Sequence, residues 1–267
     1  MSERDGYEHG VPCWVAAVHP DPAAAAHFYA ELFGWDTEDL MPPGSGESYT
    51  VCTLDGRDVA ALVSAGPAPA PPRPMWGTHM WVDSADETAA AARAAGGAVI
   101  AEPFDSPGGG RVAVIADPAG AAFCLWEPQG RNGAQRVNEP SAWAMSLLAT
   151  PDTETAASFY GELFGWTTES FGPTTLFRLP GYEGGEPEQP VSREVVAAMI
   201  TGEAPAHWAV DFWIADADIA AERTASLGGT VVAAPHDVPS FRRAVLADPQ
   251  GATFSVSQLV RVPEATG

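Results

Sequence analysis

Lysine is absent from this 267-residue chain. All 13 basic residues are arginine, against 35 Asp and Glu, for a formal charge of −22. So negative a surface repels phosphate backbones and anionic membranes, which excludes nucleic acid and lipid surfaces as expected partners. Missing lysine with abundant Ala, Gly and Pro is the composition of a GC-rich bacterial genome. No apolar run approaches 18 residues, so no helix is expected to span a membrane. Residues Met1 to Gly6 lack a basic-then-apolar signal pattern, and the expected location is cytoplasmic. Cysteine is scarce: Cys13, Cys52 and Cys124 are odd in number, sit in apolar runs and read as reduced thiols. No H-x-H or H-E-x-x-H spacing links the six histidines; His19, His27, His207 and His236 fall at strand ends, on a helix or in a loop.

What is present is present twice. Phe28–Trp35 (FYAELFGW) returns 131 residues later as Phe159–Trp166 (FYGELFGW). Asp117–Phe123 (DPAGAAF) returns at the same offset as Asp248–Phe254 (DPQGATF), and Asp21 as Asp152. A period of this length is that of a domain rather than a solenoid unit. The expected organisation is a first domain over 8–130 (units 8–70 and 75–130), a linker at 131–140, and a second domain over 141–262 (units 141–202 and 205–262).

Each half divides again. Cys13 to Val18 reads as a strand. Asp21 caps a helix with Pro22 in its first turn, and the helix stops at Gly34. Strands follow at Tyr49–Leu54 and Val59–Val63, then a proline-rich connector at Ala65–Pro74. The next unit opens with the strand His79–Val82, a helix capped by Asp83 or Ser84 and ended by Gly96-Gly97, and strands at Val99–Ala101, Val112–Ala116 and Ala122–Trp126. The second half repeats the plan, with an extra acidic Gly/Pro-rich loop at Gly181–Pro190. Gly108-Gly109-Gly110 reads as a tight turn, since no helix follows to make a phosphate cradle.

The paired FY-x-E-L-F-G-W helix ends, the strand–Asp–helix–Gly-Gly runs (Trp81–Gly97, Trp213–Gly229) and the D-P-x-G-x-x-F turns resemble the vicinal oxygen chelate superfamily. That group includes glyoxalase I, bleomycin-resistance proteins and extradiol dioxygenases. The tandem is most similar to its actinobacterial two-domain type, often labelled hydroxylase or glyoxalase-like. The resemblance implies an α+β fold: four βαβββ units forming two tandem domains, each with a concave half-barrel cleft. Metal-dependent members place four His/Glu-type ligands on that face. The matching positions here are Trp14, the neighbourhood of Ala61, Gly77 and Cys124 in the first half. In the second they are Met145, the neighbourhood of Ala198, Ala209 and Ser255. Only Cys124 is a competent donor, so no metal or other cofactor is expected.

Strand alternation then sets the expected cleft lining. It comprises Trp14, His79, Trp81, Cys124 and Trp126 in the first half, and Trp143, Met145, Asp211, Trp213 and Ser255 in the second. Arg111 and Arg243, at hairpins on the rim, are candidates to hold an anionic group. His79 is a candidate acid or base because imidazole titrates near neutrality, and Asp211 holds the equivalent place in the other half. Structural alternatives stand beside these: the tryptophans could plug collapsed barrels, His79 and Asp211 could be satisfied core residues, and Cys124 reads as an inert thiol. The function expected is metal-independent binding and transformation of a flat, largely apolar small molecule in bacterial secondary metabolism, by aromatic-product tailoring or self-resistance. The alternatives are a divalent-metal lyase or dioxygenase with non-standard ligands, and a drug-sequestering binding protein. The partner is a planar or aromatic small molecule, and the chain is a monomer or homodimer. Which units pair across each cleft is left open by the sequence.

Overall fold

A computed structural model describes residues 3–64, 73–184 and 192–260. Most of the proline-rich connector, and the loop after Gly184, lie outside the described residues. The first half contains β1 (Pro12–Val18), α1 (Pro22–Phe33), β2 (Asp36–Asp39), β3 (Tyr49–Leu54), β4 (Arg57–Val63), β5 (Met75–Trp81), α2 (Ala85–Ala94), β6 (Ala98–Ser106), β7 (Gly110–Ala116) and β8 (Ala122–Pro128). The second contains β9 (Trp143–Thr150), α3 (Thr153–Phe164), β10 (Thr167–Phe171), β11 (Thr174–Arg178), β12 (Val195–Thr201), β13 (His207–Trp213), α4 (Ala217–Ser226), β14 (Thr230–Val238), β15 (Phe241–Ala247) and β16 (Thr253–Leu259).

The helices begin and end on the expected chemistry. The Asp21 carboxylate accepts the Ala24 N–H at 3.0 Å, Pro22 opens α1, and Gly34 closes it at φ +77°. Such a left-handed C-terminal position favours glycine. Of the two candidates before α2, Ser84 is the cap. Two short strands, β2 and β10, carry no sequence signal because every residue in them is exposed and no alternation marks a buried face.

Each half forms one eight-stranded sheet, ordered β2-β3-β4-β1-β5-β8-β7-β6 and β10-β11-β12-β9-β13-β16-β15-β14. The antiparallel pair β1–β5, and its counterpart β9–β13, joins the two units of the same half. That settles the pairing which the sequence leaves open.

The repeated motifs prove to be the fastening between halves. The Tyr29 hydroxyl donates to Asp248 at 3.0 Å, and Tyr160 donates to Asp117 at 3.1 Å, each crossing to the other domain. Each aspartate also holds its own turn by accepting two backbone N–H groups, from Ala119 and Ala121 or from Gln250 and Ala252. Each tyrosine in turn accepts an indole N–H, Trp76 to Tyr29 and Trp208 to Tyr160, both at 2.9 Å. The motif tryptophans cross as well: Trp35 donates to the Ser141 carbonyl and Trp166 to that of Gly10. Phe28 and Tyr29 pack edge-on against Phe254, extending one apolar core across the seam. Thr78 and Ser146 meet there at 2.7 Å. Both belong to the strand faces opposite His79 and Met145, so the two concave faces turn away from the seam.

Candidate functional site

Strand register assembles the first concave face. Trp14 lies opposite His79, and His79 opposite Cys124; one row away, Ala61, Ala16 and Gly77 line up across β4, β1 and β5. The face is full. Trp14 and Trp126 are wholly buried, their rings 6.5 Å apart, and Trp126 meets His79 edge-on at 5.9 Å. The β6–β7 hairpin lies directly on this layer. A Cβ at Gly110 would come within 2.6 Å of Trp126, and one at Gly108 within 2.2 Å of Tyr49. Glycine is thus required at both places by close approach. Arg131 seals the closure, donating through Nε to the Gly108 carbonyl and ion-pairing with Asp58.

Burial decides the chemistry of these groups. It holds the His79 pKa down at about 4 and pushes the Cys124 thiol up to about 12. A neutral imidazole therefore sits beside a protonated thiol, which is no nucleophile. Trp81 is half-buried under Tyr7, with ring centroids 6.2 Å apart.

The second concave face uses smaller and more polar residues at matching places. Met145 stands for Trp14, Asp211 for His79, Ser255 for Cys124 and Ser257 for Trp126. Asp211 lies opposite both Met145 and Ser255. Its Oδ1 accepts the Ser255 hydroxyl at 2.6 Å and that of Ser257 at 2.8 Å, with Arg243 Nε 3.5 Å away. Oδ2 has no partner among the described residues. Arg243 Nη2 donates to Ser255 at 2.9 Å, and its side chain remains 30% exposed. Burial raises the Asp211 pKa, opposed by Arg243 and the two hydroxyls. Trp213 and Phe241, 6.1 Å apart, make an aromatic wall at the rim.

Two expectations need correction. Arg111 does not line a cleft: it donates to Asp86, in the first turn of α2, at 2.7 and 3.1 Å and to Asp105 at 3.1 Å, on the helix-bearing side. Its counterpart by the repeat offset is Arg242, bound in the same way to Asp218 and Asp237. Arg243 is one residue further on, and strand alternation turns it inward. Trp143 also leaves its expected place, because an irregularity between Asp211 and Phe212 sets it opposite Phe212. Trp143 is buried and lines a separate depression at the domain seam. Tyr49 and Arg131, which close the first face, were not singled out by sequence; only their position in space marks them.

Sequence comparison matches residues 13–125 to the Glyoxalase/Bleomycin resistance protein/Dioxygenase superfamily, and residues 144–257 to a Glyoxalase-like domain. The chain belongs to this superfamily. It is 38% identical over 258 residues to CFP32 of Mycobacterium tuberculosis (strain CDC 1551 / Oshkosh), which carries a glyoxylase name, covering 96% of this chain and 97% of that one. It is 36% identical over 262 residues to the anthracycline biosynthesis protein DnrV of Streptomyces peucetius, covering 94% of each. Among solved structures, the Mn(II)-bound glyoxalase from Novosphingobium aromaticivorans superposes with a TM-score of 0.63 at 18% identity, over 94% of this chain and 83% of that one. The 2,3-dioxygenase LapB from Pseudomonas sp. KL28 gives 0.63 at 14%, over 98% and 96%. At these identities the structures speak for the fold alone.

The donor set does not fit a superfamily-type metal. Of the eight matching positions, Trp14, Ala61, Gly77, Met145, Ala198 and Ala209 carry no ligating group for a hard or borderline divalent ion. Cys124 is held protonated, and the Ser255 hydroxyl is committed to Asp211. Among the described residues no three His, Cys, Asp or Glu side chains gather into a possible metal site.

Proposed function

We propose that the concave face of the second domain is the working site, that it holds a flat, largely apolar small molecule, and that it does so without a metal. The observation that carries this reading is the asymmetry of the Asp211 carboxylate. Two hydroxyls donate to Oδ1 and fix its orientation, with the Arg243 guanidinium 3.5 Å away, while Oδ2 is left for a ligand. One carboxylate oxygen is committed to the two hydroxyls, and the other, which makes no such bond among the described residues, is the one placed to accept something. Met145, Leu147 and Ala209 supply apolar floor, and Trp213 with Phe241 an edge on which a planar ring can lie.

In this reading Oδ2 takes a proton, or a hydrogen bond, from an acidic O–H or C–H of the ligand. The raised pKa makes Asp211 a better base than an exposed carboxylate, and Arg243 steadies the negative charge that the ligand acquires. His79 and the indoles Trp14 and Trp126 are packing groups, and the first domain supports the second. Likeness to DnrV favours a place in secondary metabolism. We assign the domains to 8–130 and 141–262, with 131–140 as linker.

Titration with hydroxylated planar polycyclic aromatics, read by tryptophan fluorescence, tests the site. One equivalent should bind. Asp211→Asn should keep binding while lowering any turnover by roughly two to four orders of magnitude, the usual contribution of a general base. Weakened binding with no turnover in either protein would make the site one of sequestration. No binding, or binding lost only on changing Trp14 or Trp126, would move the site elsewhere. One tightly held metal ion per domain would overturn the metal-free reading.

A further inference from the structure

The two halves bring a closing ring to the concave face from different strands. In the first, the ring is Trp126 on β8, and Gly110 on β7 leaves it room: a Cβ there would come within 2.6 Å of the indole. In the second, the matching places by the repeat offset hold Ser257 on β16 and Phe241 on β15. Large and small have changed places between the strands. The turns that carry the two hairpins match, since Gly109 and Ser240 are both left-handed, at φ +84° and +67°. Phe241 thus leaves the second hairpin where Gly110 has no side chain.

The ladder shows where the Phe241 ring goes. Ser257 lies opposite Trp213 on one side and Arg243 on the other, so these side chains share the concave face. Phe241, two residues before Arg243, is on that face as well. Strands β13 and β15 flank β16, which sets their backbones about 9.5 Å apart. The Trp213 and Phe241 rings are nevertheless 6.1 Å apart between centroids, tilted by 47°. They lean toward each other across β16 and meet above Ser257. Ser257 is the buried floor of that bridge, and its hydroxyl donates to Asp211 Oδ1 at 2.8 Å. The bridge therefore stands beside the Asp211 carboxylate. On the other side of Asp211 along β13 comes Ala209, opposite Leu147, and both are only half-buried.

We propose that Phe241 sets the size of ring system that the second face accepts. With Trp213 it is the end stop for a planar hydroxylated aromatic whose hydroxyl meets Asp211 and whose rings extend over Ala209 and Leu147. Phe241 has this role only if Asp211 holds the ligand, so the assignment rests on that reading and adds the residue that limits the ligand.

Fluorescence titration of the full-length protein with 2-naphthol and with 1-hydroxypyrene gives the ratio of their affinities. Phe241→Gly installs the residue of the first hairpin and frees the volume of the phenyl ring above Ser257. It should shift the ratio toward 1-hydroxypyrene by roughly ten-fold, the scale of burying part of a further ring. Urea denaturation tests the placement without any ligand. Ser257→Trp puts an indole under a hairpin that still carries Phe241, and should lower the urea midpoint. Phe241→Gly in the same chain gives both places the residues of the first domain and should recover most of that loss, a coupling expected only of side chains in contact. Additive losses would set Phe241 apart from Ser257 and overturn the proposal. So would an affinity ratio unmoved by Phe241→Gly in a protein that binds both phenols. Native protein that binds neither would sink the Asp211 reading and this assignment with it. A shifted ratio beside turnover unaltered in Asp211→Asn would uphold Phe241 and sink only the choice of Asp211 as base.

Discussion

The two concave faces follow one repeated pattern and are lined in opposite ways. In the first, the matched places hold Trp14, His79, Cys124 and Trp126, and the glycine hairpin lies on the indoles with Tyr49 beneath it. In the second they hold Met145, Asp211, Ser255 and Ser257, and the corresponding hairpin carries Pro239, Ser240 and Phe241. The first domain thus replaces ligand volume with its own aromatic side chains and buries His79 among them. The second spends the same space on a carboxylate, two hydroxyls and a guanidinium. Sheets of the same strand order therefore carry either an aromatic or a polar lining, and the largest differences in side-chain volume fall at two places, Trp14/Met145 and Trp126/Ser257.

The largest test of this contrast is truncation at the second of those places. Trp126→Ala should destabilise the protein by about 3–5 kcal/mol, the cost of removing a fully buried large aromatic. Ser257→Ala removes one hydroxyl from Asp211 and should cost no more than about 1.5 kcal/mol. Urea denaturation of the two variants gives both numbers. Comparable losses would mean that the second face is as much a core as the first.

Acid stability sharpens the contrast further. His79 has its folded pKa depressed to about 4 from 6.5, so the fold prefers the neutral ring. The sign follows: this contribution is intact above pH 6.5, and falls by about 1.4 kcal/mol per unit as pH drops from there toward 4, because the unfolded chain binds the proton first. The difference in unfolding free energy between native protein and His79→Gln should change with pH over that window and be flat above it. A difference that is flat throughout would mean that His79 is solvated and the first face open. Gly110→Ala acts on the same closure and should cost about 1–3 kcal/mol, since its new Cβ meets the Trp126 ring. Phe241, at the matching place on β15, shows that the second hairpin carries a side chain there without such a conflict.

The repeat, the helix limits and the α+β plan were legible because caps, glycine stops and motif spacing are local in sequence. Strand alternation also placed Asp211, Ser255 and Met145 on one face. It failed where the ladder is irregular: the break beside Phe212 moved Trp143 to the seam, and no residue near it announces that break. Arg111 and Arg243 both follow a hairpin, yet they stand one position apart in the repeat, and one position of offset on a strand reverses the face. The short strands β2 and β10 are wholly exposed and leave no periodic trace. The plugging of the first cleft depends on Tyr49 and the hairpin meeting across distant segments, which no local pattern encodes. The role of the tyrosine and tryptophan in FY-x-E-L-F-G-W was likewise invisible, since their partners Asp117, Asp248, Gly10 and Ser141 lie in the other domain.

The smallest effect expected is also the one that separates a working carboxylate from a structural one. Asp211 has its folded pKa raised, chiefly by burial, so in the fold the ionised form is the disfavoured one. Protonation therefore stabilises. As pH rises from below 3.8 through the folded value, stability from this group is lost, and at neutral pH the carboxylate is a standing cost. Asparagine keeps the shape and an acceptor for Ser255 and Ser257 while removing the charge. Asp211→Asn should thus raise the unfolding free energy at pH 7 by about 0.5–2 kcal/mol, the range of single stabilising substitutions, even as it removes the proposed base. The gain should shrink below pH 4, where the native carboxylate is itself neutral. That pairing of higher stability with lost chemistry is what a site held at the expense of the fold would show. If Asp211→Asn instead lowers stability at pH 7, the carboxylate is the hub that Ser255, Ser257 and Arg243 need, and the second face is a polar core in place of an aromatic one.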